Sequence, residues 1–186
     1  MRIKISNYLY LDKWACVWYN VLVIVKMKIK KEVEFNDIIK DILKNKEVIS
    51  LRYELHHGIS RLDHLLNVAR LTYNICKFFK VRNYEKVIRA AFLHDFYFTS
   101  DDVNFKNHPL KALDNAKRVF NVDNMQIDII YNHMFPATLR IPKYKETWIV
   151  IIADKLVAIC ECMRYKLPNQ IGIILVFLFN FMVIQR

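Results

Sequence analysis

The chain has 186 residues, of which 54% are hydrophobic, and its 29 Lys and Arg against 18 Asp and Glu give a net charge of +11. That length predicts about one domain with a real core, and a hydrophobic share above the usual ~45–50% excludes a disordered chain. Only two glycines occur, Gly58 and Gly172, so neither a P-loop nor a Gly-x-Gly-x-x-Gly turn can be drawn. Sparse Gly and Pro between long periodic runs favour an all-α fold.

The positive charge suggests nucleic acid as a possible class of partner, but most basic residues are scattered along the chain. The one dense cluster, residues 26–31, lacks the interleaved aromatics of a strand-binding groove. Nucleic acid is therefore disfavoured, and the charge is interpreted as solvated helix faces that also attract phosphorylated substrates. The four cysteines, at 16, 76, 160 and 162, show no Cys-x-x-Cys pair and predict reduced thiols in a cytoplasmic protein.

The two ends of the chain differ from its middle. Residues 14–25 and 171–184 are strongly apolar but shorter than the about 20 residues that a spanning helix needs, so core or interface segments are favoured over membrane contact. Met27 opens a more ordinary domain start, and the first 26 residues are alternatively an artefact of start-site choice. We predict an N-terminal extension over 1–49, a domain over 50–165 and an apolar tail over 166–186. The sequence leaves a homodimer open.

Helix starts can be located along the central domain. Ser60, with Asp63 three residues later, predicts a capped helix that runs to about Lys80 and holds His64 in its first turn. Asn83 is the predicted cap of the next helix, which ends at residues 94–95.

The second half of the domain has two further start signals. Pro109 suits the first helical position and would place His108 at the N-cap. Asp123 with Gln126 predicts the cap of the helix that carries His133. The loop 97–107 leads directly to His108, and the loop 135–145 follows His133 closely. We expect both loops to frame access for a substrate.

Four of the six histidines form an ordered series with two aspartates: His64, His94, Asp95, His108, His133 and Asp154. Imidazole and carboxylate groups together are what a catalytic divalent metal site needs. Any one of the six alone would more often be a hydrogen-bonded core residue or a helix cap. The His-Asp doublet at the end of a buried helix, joined to the other four, predicts a metal site.

The neighbours of these residues predict that they point inward. Asp154 is flanked on its helix face by Val150, Ile151, Val157 and Ala158, and His133 follows Ile129 and Ile130 by one turn. Ala90 and Ala91 precede His94 and leave room for another helix. Because an ionised carboxylate buried without a partner is so costly, Asp154 is expected to be paired, protonated or bound to a metal.

The order His, His-Asp, Asp resembles the HD superfamily of metal-dependent phosphohydrolases. The likeness is carried by residues 60–69, 91–95 and 153–155, and it covers about residues 50–165. It implies an all-α HD-domain helical bundle with the metal site in its core cleft. The extra histidines, His108 and His133, resemble the branch of the superfamily that binds two metals.

The resemblance also implies a division of the ligands. One metal is held by His64, His94, Asp95 and Asp154, and Asp95 bridges to a second metal held by His108 and His133. The layout is similar to symmetrical diadenosine tetraphosphate hydrolases and cyclic-di-GMP phosphodiesterases. The chain lacks the Thr-Gly that follows the last histidine of the first group and the Gly-Tyr-Pro signature of the second. It looks more like small uncharacterised bacterial HD hydrolases with His-Gly before the first ligand and His-Met-x-Pro around His133.

Two cations that share a water can lower its pKa, and they can direct the resulting hydroxide toward a phosphorus atom. Mixed His and carboxylate ligands suit Fe, Mn, Zn or Co, and we expect Fe or Mn first. The predicted reaction is hydrolysis of a phosphomonoester or phosphodiester bond in a nucleotide-like substrate. Asp95 is the predicted catalytic bridge, Arg61 and Lys155 are expected to neutralise phosphate oxygens, and His57 or His56 to contact the substrate.

Two other classes of function stay open. HD-type folds with two metals also carry out oxygen chemistry, so a di-iron oxygenase is one alternative. The other is a nucleotide-binding sensor without catalysis, although a complete set of six ligands weighs against it.

Overall fold

The computed structural model describes residues 30–56, 58–101, 104 and 106–165. The chain divides into two compact units, 1–38 and 39–186, and the described residues 30–38 of the first unit belong to helix α1. The apolar runs at 14–25 and 171–184, Met27 and His57 lie outside the described residues.

The described part of the second unit is built almost entirely from helices, so the predicted all-α fold is confirmed. The α-helices are α2 (Lys46–Ser50), α3 (Arg61–Phe78), α4 (Tyr84–Leu93), α5 (His108–Val119), α6 (Asn124–Asn132) and α7 (Lys145–Tyr165). Short 3-10 turns cover Ile42–Lys44, Leu51–Tyr53 and Thr99–Asp101. A small antiparallel hairpin pairs β1 (Leu55–His56) with β2 (Ile59–Ser60), and Gly58, at φ 93°, lies between the two strands.

Two of the predicted helix starts are confirmed. The Ser60 hydroxyl accepts a bond from the Asp63 backbone N–H at 3.1 Å and donates one to the Asp63 carboxylate at 2.6 Å, and α3 begins at the next residue. Before α6, Asp123 and Gln126 form a reciprocal capping box with bonds of 2.9 and 3.0 Å. Both caps satisfy backbone N–H groups that the first helical turn leaves without partners.

The other two predicted starts differ in detail from the structure. Asn83 is the N-cap of α4, as predicted, but its side chain makes no capping bond, since its backbone (φ −97°, ψ 35°) lacks the extended conformation of most capping residues. His108 is the first residue of α5 and Asn107 is its N-cap, one position earlier than predicted.

The core lies where four helices meet. Helix α3 packs against α4 and α7, α4 packs against α6, and α6 packs against α7. Fully buried side chains fill the space between them, including Leu65 from α3, Phe92 from α4 and Ile129 from α6. Among the described residues, no helix is both long enough and apolar enough to cross a membrane.

Candidate metal centre

The six residues of the His/Asp series come together inside this core. Each is at most 8% exposed: His64 in the first turn of α3, His94 and Asp95 directly after α4, His108 at the start of α5, His133 directly after α6, and Asp154 in the middle of α7. Five helices therefore contribute to one buried cluster, which we call the His/Asp cluster.

One half of the cluster surrounds Asp154. Its Oδ1 lies 3.3 Å from Nε2 of His64 and 3.6 Å from Nε2 of His94. Ligand atoms of His64, His94 and Asp95 also lie within 4.8 Å of one another. Both imidazoles thus face Asp154 and also have ligand atoms near Asp95.

The other half joins Asp95 to the two remaining histidines. Asp95 Oδ1 lies 3.4 Å from His108 Nε2 and 3.3 Å from His133 Nε2, and the two Nε2 atoms are 3.2 Å apart. The other oxygen of Asp95, Oδ2, lies 3.8 Å from His94 Nε2. Asp95 therefore presents one oxygen to each half of the cluster.

The hydrogen bonds of the rings suit a metal ion. Nδ1 of His94 lies 2.7 Å from the carbonyl oxygen of Ala91, and Nδ1 of His133 lies 2.8 Å from that of Ile130. A carbonyl only accepts, so Nδ1 carries a proton in both rings, and in the neutral imidazole Nε2 then has a lone pair for a metal ion. Within the described part of the chain, the buried Nε2 of His94 makes no hydrogen bond. A bound cation would satisfy this lone pair.

The spacing of the ligand atoms fits as well. Atoms bound about 2.0–2.2 Å from one metal ion lie roughly 3.0–3.5 Å from each other. Most of the separations among the facing nitrogen and oxygen atoms, 3.2–3.6 Å, fall in or close to this range. The residues of the His/Asp cluster therefore fit a divalent metal.

The cluster also shifts the pKa values of its members in the metal-free protein. Burial raises the pKa of Asp95, but the charge of His94 and contacts with His133 outweigh it and hold the pKa well below its usual range. For His64 burial acts in the opposite direction and lowers the pKa, but contacts with Asp154 and Glu161 outweigh it and raise the pKa to about 9. The pKa of Asp154 is also well below its usual value despite burial. Asp95 and Asp154 are therefore both held as anions.

Glu161 is a member of the site that the sequence analysis missed. It is 5% exposed, and its Oε2 lies 2.8 Å from Nδ1 of His64 while Oε1 accepts a bond from Asn67 at 3.0 Å. The signal was its place two helical turns beyond Asp154, on the same face of α7.

Asp128 was missed too, and it holds the surroundings of the site together. Its buried carboxylate accepts bonds from the side chains of Asn132 and Thr147 at 2.7 and 2.6 Å, and from the backbone N–H groups of Lys143 and Tyr144 at 3.1 and 3.2 Å. These bonds tie the end of α6, before His133, to the start of α7, which carries Asp154. No local sequence pattern predicts that Asp128 bonds to these residues.

The residues predicted to contact the substrate, Arg61, His56 and Lys155, differ from one another in their surroundings. The Arg61 guanidinium lies 3.8 Å from the centre of the Tyr97 ring, donates to the Tyr97 carbonyl at 2.6 Å and is 3.7 Å from Glu54. Arg61 is only 4% exposed, and its phosphate contact stays a prediction. For His56 only the backbone is described.

Lys155 is better placed for a phosphate contact. Its side chain is 43% exposed, and its Nζ lies 2.7 Å from Oδ2 of Asp154 and 3.6 Å from the sulfur of Met134. A cation at the edge of the His/Asp cluster can reach a phosphate oxygen without leaving the protein surface.

The fold and the site together define an all-α domain whose core carries a group of residues able to hold a metal ion. The family model of the HD domain matches residues 61–159, more than half of the chain. The protein therefore belongs to the HD-domain family, whose members are mostly metal-dependent phosphohydrolases that bind divalent metals. Comparisons with curated proteins and with solved structures find no match.

Proposed function

We propose that this protein hydrolyses a phosphomonoester or phosphodiester bond of a small, nucleotide-like substrate at a centre of two divalent metal ions. The observation that supports this most directly is the orientation of the Asp95 carboxylate. Its Oδ1 faces His108 and His133, whereas its Oδ2 faces His94. A carboxylate with one oxygen directed to each half of a cluster suits a bridge between two cations.

Each residue has a distinct task in this proposal. His64, His94, Asp95 and Asp154 would hold one ion, and Asp95, His108 and His133 would hold the other. When bound, two such cations supply a water of lowered pKa and stabilise charge on the phosphoryl oxygens. Mixed imidazole and carboxylate ligands favour Fe or Mn, with Zn and Co as alternatives.

Lys155 provides the positive charge for substrate binding. Its Nζ is adjacent to the metal ligand Asp154 and partly exposed, so a phosphate oxygen can accept a bond from it. Arg61 holds the segment after Asp95 in place through its bond to the Tyr97 carbonyl. The residues before α3, His56 and His57, stay candidates for contacts with the rest of the substrate.

The experiment is a phosphate-release assay on the Fe- and Mn-loaded protein, with mononucleotides, cyclic nucleotides and dinucleotides as substrates. We expect turnover of at least one substrate, lost in Asp95→Ala and retained in the control Asp114→Ala, which changes an exposed carboxylate on α5. Iron-dependent oxygen consumption without phosphate release would replace the proposal with an oxygenase. Tight nucleotide binding without any turnover would replace it with a sensor.

A further inference from the structure

We propose that Glu161 is a positioning residue for the metal centre. Its carboxylate fixes the proton of His64 on Nδ1 and directs Nε2 toward the metal ion. This inference rests on the proposed function, because it assumes that His64 binds a metal.

The contact is well defined on both sides. Glu161 Oε2 lies 2.8 Å from His64 Nδ1, and Glu161 Oε1 accepts a bond from the Asn67 side chain at 3.0 Å. Glu161 is 5% exposed and His64 is fully buried. With both oxygens bonded, the carboxylate has little freedom to rotate, and it therefore fixes the plane of the imidazole ring.

The position of His64 explains why it needs such a partner. His94 and His133 each follow the end of a helix, and their Nδ1 atoms contact the carbonyls of Ala91 and Ile130. Carbonyls in the last turn of a helix have no partner within the helix and are free to accept. His64 lies in the first turn of α3, where the carbonyls are already bonded to the next turn. An acceptor has to come from another helix, and α7 supplies it.

A carboxylate acceptor also does more than a carbonyl. An anion bonded to Nδ1–H increases the basicity of the opposite nitrogen, and such partners of metal-binding histidines commonly contribute about 10- to 100-fold to metal affinity. Because Asp154 and Glu161 lie on the same face of α7, one helix provides both a metal ligand and the residue that orients another ligand. Glu161 lies just beyond the matched HD-domain segment, 61–159.

The test compares metal binding by the full chain and by Glu161→Ala and Glu161→Gln. Glu146→Gln is the matched control, since it makes the same change near the start of the same helix. Affinity for Co²⁺ is measured by competition with a chelator, and the visible spectrum of the Co²⁺-loaded protein reports ligand geometry. We expect about 10- to 100-fold weaker binding of one of the two ions in Glu161→Ala, with a changed spectrum. The loss of metal affinity in Glu161→Gln should be smaller, at least about threefold, because its amide oxygen still accepts a bond from His64.

The outcomes separate the two proposals. If the wild-type chain binds no metal, the proposed function fails. If it binds metal and Glu161→Ala has the same affinity and spectrum, the positioning role is overturned while the proposed function stands. Should circular dichroism show that Glu161→Ala does not fold, Glu161→Gln decides, and unchanged affinity in that variant overturns the inference.

Discussion

Oδ1 of Asp154 lies 3.3 Å from Nε2 of His64, which joins the middle of α7 to the first turn of α3. Asp95 makes the equivalent contact to His133 in the other half of the His/Asp cluster, at 3.3 Å. Two carboxylates, each beside a pair of imidazoles, form the frame of the proposed dinuclear centre.

The two halves of the cluster should lose metal separately. In His108→Ala we expect the stoichiometry to fall from two ions to one, because only the half formed by His64, His94, Asp95 and Asp154 keeps its ligands. In His64→Ala the ion of the other half should be retained. Elemental analysis of both purified variants checks this. Loss of all metal from both would show that the halves do not bind independently.

Metal binding should also depend on pH. In the metal-free protein the pKa of His64 is about 9, so below that pH a metal ion has to displace a proton from the ring. For the His108→Ala variant, which keeps only that half, we expect Kd to rise roughly tenfold per unit as the pH falls from 9 to 7. Titration calorimetry at pH 7 in buffers of different ionisation enthalpy should detect about one released proton. A Kd independent of pH contradicts this account.

Asp128 should matter for stability rather than for chemistry. Its removal leaves the Thr147 hydroxyl and the N–H groups of Lys143 and Tyr144 without their acceptor. We expect Asp128→Ala to lower the free energy of unfolding by about 2–4 kcal/mol in urea denaturation. The exposed carboxylate of Asp114 provides the control, and its replacement by Ala should change the value by less than about 0.5 kcal/mol. A change that small for Asp128 itself would show that its bonds contribute little.

Lys155 tests the assignment of the substrate-binding cation. With the metal content unchanged, Lys155→Met should reduce kcat/KM by about tenfold or more, because a phosphate oxygen loses a charged donor. Lys145→Met removes an exposed lysine from the same helix and should leave kcat/KM unchanged. If Lys155→Met instead loses metal at full activity per bound ion, Lys155 orients Asp154 and does not contact substrate.

Much of the fold follows from local signals. Ser60 and Asp123 bond to backbone N–H groups within three residues of themselves, so their caps could be read from spacing alone. The start of α5 could be placed only to within one residue. Proline lacks an N–H group that the first helical positions do not need, so Pro109 fits the first or the second position equally well.

The partners within the site could not be predicted in the same way. The aspartates and histidines of the cluster are visible as residue types, whereas the bond that His64 donates to Glu161 depends on how α7 packs against α3. The contacts of Arg61 were not visible either: its position one turn before His64 predicts a phosphate contact, whereas its stacking on the Tyr97 ring and its bond to the Tyr97 carbonyl appear only in the structure. Such pairings arise from tertiary packing, which spacing along one helix does not report.

Metal analysis of the protein purified without added metal decides whether Asp95 bridges two metal ions. We predict about two divalent ions per chain for the wild type, and at most one, weakly held ion for Asp95→Ala at unchanged helical content. Wild-type protein that holds no metal, even after incubation with Fe²⁺ or Mn²⁺, would contradict the account and leave the His/Asp cluster as a buried hydrogen-bonded network.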